Sequence, residues 1–83
     1  MEITYQVIAD NCNSTKITFE KRGLTKNTAK YVAKVMCDAF RDVRVICEQT
    51  GEIMFNKYYN DDFFPTTIKE VEAIVLVQSI LAD

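Results

Sequence analysis

The chain contains no histidine. That removes at once the usual general base, the usual partner of a nucleophile and the commonest metal ligand. Its only glycines are Gly23 and Gly51, so no glycine-rich phosphate loop can be assembled. The cysteines, Cys12, Cys37 and Cys47, are odd in number and lie 25 and 10 residues apart, a spacing unlike that of a zinc knuckle. The longest apolar run, Ala73 to Val77, falls far short of a membrane span. Asp10-Asn11-Cys12-Asn13-Ser14 lacks the oxygen ligands of a calcium loop, and Asp61-Asp62 reads as a solvated polar turn. Catalysis, a cofactor and a bound metal are therefore not expected.

Eighty-three residues, nearly half of them apolar and only three of them Gly or Pro, make one globular domain, 1–83, near the lower end for a single core. Met1-Glu2-Ile3-Thr4 enters a strand pattern at once, so a reduced, cytoplasmic protein is expected. The net charge is −2, which argues against binding nucleic acid by bulk charge. Its distribution is uneven. Residues 16–57 carry nine basic and five acidic side chains, while 1–15 and 58–83 are net acidic.

The order of patterns is ββα followed by ββα. Ile3, Tyr5 and Val7 alternate with polar neighbours, and Ile17 and Phe19 alternate with Lys16, Thr18 and Glu20, which predicts a hairpin around Asn11-Cys12-Asn13-Ser14 that ends at Arg22-Gly23. Thr25 or Asn27 caps a helix running to Phe40 or Arg41, with Ala29, Val32, Val35, Met36, Ala39 and Phe40 as its core stripe. Val43–Cys47 and Ile53–Tyr59 form a second hairpin, and Gly51 supplies its positive φ. Thr67-Ile68-Lys69-Glu70 reads as a capping box that starts a helix over 67–82. Ile74-Val75-Leu76-Val77 alone could be a strand, but the box and the length favour helix.

The expected fold is thus α+β: an antiparallel four-stranded sheet from two hairpins, with two helices on one face. The halves, 1–41 and 42–83, read either as an internal ββα pseudo-repeat or as two amphipathic hairpins that merely look alike. Strand order is open. A twofold relation would bring equivalent strands together at the sheet centre or pair the helices above it.

Three surfaces stand out. On the first helix, Lys26, Lys30, Lys34 and Arg41 span an arc of about 80° at about 100° per residue, away from the core stripe, and could contact a polyanion. Cys37 lies in the same arc, so an exposed thiol with a favoured thiolate is expected. Tyr58, Tyr59, Phe63 and Phe64 crowd beside Asp61-Asp62, where some close the core and others could anchor a protein interface. The last helix is apolar on most sides, and Leu76 and Ile80 fall on a side of their own that a second copy could cover.

The strand–Thr50-Gly51-Glu52–strand hairpin resembles hairpins of small phage and mobile-element proteins, which implies an accessory role and assigns no residue. The expected function is a small non-enzymatic protein-interaction or accessory module, self-associating through its C-terminal helix, with another protein or itself as partner. The alternative is a nucleic-acid binder that uses the first helix. Membrane association is not expected.

Overall fold

The computed structural model describes residues 2–11, 17–58 and 68–81. Its elements are β1 (Tyr5–Asp10), β2 (Thr18–Leu24), α1 (Lys26–Met36), β3 (Asp42–Cys47), β4 (Ile53–Tyr58) and α2 (Glu70–Leu81). The four strands form one antiparallel sheet in the order β2-β1-β3-β4. β1 and β3, the first strand of each half, pair at the centre, one of the two arrangements that a twofold relation would bring. Val7 sits opposite Val45 and Ala9 opposite Val43. These alternate residues are buried beneath the helices, while Gln6, Ile8, Arg44 and Ile46 point to the other, half-buried face.

α1 begins where Thr25 accepts a hydrogen bond on Oγ1 from the Thr28 N–H at 3.3 Å, which identifies Thr25 as the N-cap. Ala29, Val32 and Met36 are buried and Val35 half-buried, with Ala33 widening the stripe. The helix stops at Met36, short of the expected Phe40 or Arg41. The chain tightens there, and the N–H groups of Ala39 and Phe40 both donate to the Met36 carbonyl, at 3.0 and 2.8 Å. That turn still carries Ala39 and Phe40 into the core.

The first hairpin differs from its pattern at both starts. Ile3 and Ile17 are exposed because each precedes its strand, and alternation selects a face only where the ladder holds the chain. β2 also continues through Gly23 to a buried Leu24. Gly23 adopts φ 73°, and its N–H donates to Glu48 Oε1 at 2.6 Å. In the second hairpin Gly51 has φ 75° and donates to the Cys47 carbonyl at 2.7 Å. That turn is tied to the start of β1: Gln49 accepts from the Thr4 N–H and donates to Thr4 Oγ1, each at 2.9 Å.

The stretch Ile74–Val77 is helical, within α2. Ala73 and Val77 are buried in the same core as Val32, Met36 and Phe40. The helix starts later than the expected residue 67: Ile68 and Lys69, which a Thr67 cap would place in the first turn, precede it, and the Lys69 carbonyl accepts the first helical hydrogen bond from the Ala73 N–H at 3.0 Å. Thr67 itself lies outside the described residues. The helices break the symmetry of the strands. α1 lies over β1 and β3, and α2 packs beside α1. Ile74 and Leu81 of α2 face Phe19 of β2 across a cleft. Neither helix covers β4.

Candidate interaction site

A groove of about 570 Å³ lies between α1 and β4. Tyr5, Ala33, Val45, Met54 and Phe55 give it an apolar floor, and Lys26, Lys30 and Lys34 form one rim. Cys37, Asp38 and Lys57 close one end. The three helix lysines share this rim because residues four apart fall on one side of a helix, and all three are exposed. On the sheet side, Val45 pairs with Phe55 and Ile46 with Ile53. Met54 is the extra residue of this β-bulge, which lets the adjacent Met54 and Phe55 both face the groove. Lys57 pairs with Val43, a helix-facing residue, so it shares that face.

Among the described lining residues the charge is one-sided: Lys26, Lys30, Lys34 and Lys57 stand against the carboxylate of Asp38. Burial pushes the Cys37 thiol above its usual range; the nearby Lys57 ammonium partly opposes this, and Asp38 reinforces it. This corrects the expectation of an exposed, thiolate-favouring Cys37. The residue lies in the turn after α1 and is half-buried, so desolvation of the thiolate outweighs the attraction of Lys57.

The remaining expected site residues are scattered. Arg41 does not join the lysine rim. It follows the turn, is half-buried, and its backbone N–H donates to Asn11 Oδ1 at 2.7 Å. The helical arc placed it with the lysines, but the helix ends before it. Leu76 is exposed as expected, whereas Ile80 is half-buried. Tyr58 is the last residue of β4. Tyr59, Phe63 and Phe64 lie outside the described residues, as does Cys12.

Sequence reasoning missed Lys57, Met54 and Phe55 as site residues. Lys57 could have been found from strand parity once Val43 was known to face the helices. The bulge at Met54 has no signature in the sequence. Among the described residues, no cluster of His, Cys, Asp or Glu is arranged to hold a metal ion, and no helix is long and apolar enough to cross a membrane. No protein-family model, curated protein or solved structure matches this chain.

Proposed function

We propose that the chain is a non-enzymatic protein-interaction module that docks an acidic segment interspersed with apolar residues in the groove between α1 and β4. The observation that carries this reading is the conjunction of four lysines with an apolar floor. Covering apolar surface contributes about 25 cal/mol per Å², and the lysines select the sign of what covers it. A partner with both features uses the whole groove.

The rival reading, nucleic-acid binding, draws support from Lys26, Lys30 and Lys34 on one rim. It leaves Met54 and Phe55 without a role, lacks Arg41 from the rim, and must accommodate Asp38. Self-association through α2 is a further branch of the interaction reading, supported by the exposure of Val71, Val75 and Leu76.

Selection from a displayed library of random 12-residue peptides tests the proposal, with a parallel titration of single-stranded and duplex oligonucleotides at low salt. Enriched peptides should mix Asp or Glu with aliphatic or aromatic residues. They should lose at least tenfold in affinity on Lys30→Glu/Lys34→Glu and on Phe55→Ser. The proposal fails if no peptide is enriched, or if the enriched peptides ignore both variants. Tight oligonucleotide binding that ignores Phe55→Ser but collapses with the lysine variant would favour the rival.

A further inference from the structure

The sheet has two edges, and they are built differently. β2 presents Glu20, Lys21 and Arg22 in succession, all exposed. Consecutive charges are one way in which proteins keep an edge from pairing with another chain. β4 has no such run of charge. Ile53, Met54 and Phe55 are 53, 50 and 42% exposed, and among the described residues no further strand pairs with the alternate backbone groups of β4 that face away from β3. The same strand forms one side of the lysine-rimmed groove.

We infer that the partner segment binds as a fifth strand added to β4, with acidic residues at alternate positions on the helix side and apolar residues on the opposite side. This rests on the docking reading above and states the form the docked segment takes. Backbone hydrogen bonds to a sheet edge supply affinity in such additions, and alternate side chains supply specificity.

Direction and spacing both fit. α1 starts beside the Tyr5–Leu24 end of the sheet and finishes at the Asn11 end, so it runs along β1. β4 is related to β1 by two antiparallel ladders and runs the same way. Lys26, Lys30 and Lys34 follow one another along α1 at about 6 Å. Helix-side residues of an added strand recur at about 6.8 Å. Three carboxylates at alternate positions therefore stay in step with three lysines, and their methylene stems lie over Phe55. The intervening apolar residues fall beside Ile53, which pairs with Ile46 on the other face of the sheet.

Charge selects an acidic partner over a second copy of this chain. Pairing β4 with β4 about a twofold axis would place both lysine rims on one side of the joined sheet. The rim lysines of both copies, Lys26, Lys30 and Lys34 of each, would then crowd together, an arrangement that like-charge repulsion disfavours.

A capped (Glu-Val)₅ peptide is the probe, read by amide shifts and hydrogen exchange of the labelled protein. (Lys-Val)₅ serves as the sign control, and two isomers N-methylated at every Glu or at every Val test the backbone. Addition to the edge predicts that (Glu-Val)₅ slows exchange of alternate β4 amides at least tenfold while (Lys-Val)₅ leaves them unchanged. One N-methylated isomer should lose binding and the other keep it, because residues two apart donate to the same side of a strand. Lys30→Glu/Lys34→Glu, exposed substitutions that leave the fold intact, should weaken binding at least tenfold.

If (Glu-Val)₅ does not bind, or if both N-methylated isomers bind equally and β4 amides stay unprotected, strand addition is wrong. Library peptides that still depend on the lysines and Phe55 would then leave docking in the groove standing. An empty library would remove both ideas.

Discussion

Asn11 is the sharpest place to test the structural reasoning. It is only 5% exposed, the one buried polar residue among those described. Its side chain joins the end of β1 to the turn that closes α1: Nδ2 donates to the Ala39 carbonyl at 3.3 Å, and Oδ1 accepts from the Arg41 N–H at 2.7 Å. Asn11→Ala deletes both partners and strands two backbone groups in or near the core. At about 1–1.5 kcal/mol for each hydrogen bond lost, the expected cost is about 2–3 kcal/mol. A chain of this size has a total stability of about 4–12 kcal/mol at ~0.05–0.15 kcal/mol per residue, so the loss is a large fraction. Thermal melting should fall by about 10–20 °C at ~4–8 °C per kcal/mol.

Urea denaturation followed by circular dichroism measures the change, and the slope should stay that of the parent. Asn11→Asp separates the two bonds. It keeps the acceptor for Arg41 but sets a carboxylate against the Ala39 carbonyl, which raises its folded pKa. Only the protonated form can donate to Ala39, so this variant should gain stability relative to the parent as pH falls through that pKa. A cost below about 0.5 kcal/mol for Asn11→Ala, where ordinary surface changes lie, would refute the staple and the placement of the α1 turn on β1.

Cys37 and α2 give further expected outcomes. Cys37 should alkylate more slowly with iodoacetamide at pH 8 than in the urea-unfolded chain, because its raised pKa lowers the thiolate fraction; mass spectrometry of the tryptic peptide reads this. With the folded pKa above the unfolded one, its neutral thiol favours the fold below the unfolded value. That advantage disappears as pH rises through the folded pKa, so Cys37→Ser should flatten the stability profile in this range. If α2 mediates self-association, light scattering should show a concentrated dimer that Leu76→Glu converts to monomer. Leu76 is 46% exposed, so that change should shift monomer stability by no more than about 0.5 kcal/mol; equal masses for parent and variant would exclude α2.

The local elements were legible because their signals are short-ranged. Thr25 ahead of the stripe Ala29–Val32–Met36 starts a helix, and Gly51 between two alternating runs makes a hairpin, whatever lies elsewhere. The errors arose where a side chain's setting depends on distant chain. Ile3 and Ile17 fit the alternation yet lie outside the ladders. Arg41 matched the helical arc, but the turn on Met36 ended the helix first. Asn11 read as a turn residue, and only the approach of Ala39 and Arg41 across the fold makes it a buried staple.

The candidate site divides in the same way. That Lys26, Lys30 and Lys34 share one helix face was determined by the sequence alone, through the 3.6-residue period. That this face overlooks an apolar groove was decided by tertiary structure. The two ββα halves offer similar strands but unlike helices, and which helix takes the centre of the sheet depends on how the faces pack. With α1 over β1 and β3 and α2 beside it toward β2, β4 has no helix above it among the described residues, and the bulge at Met54 turns two adjacent side chains toward the lysines. Periodicity acts within a few residues. The choice of which edge stays open is a competition among packed surfaces far apart in the chain.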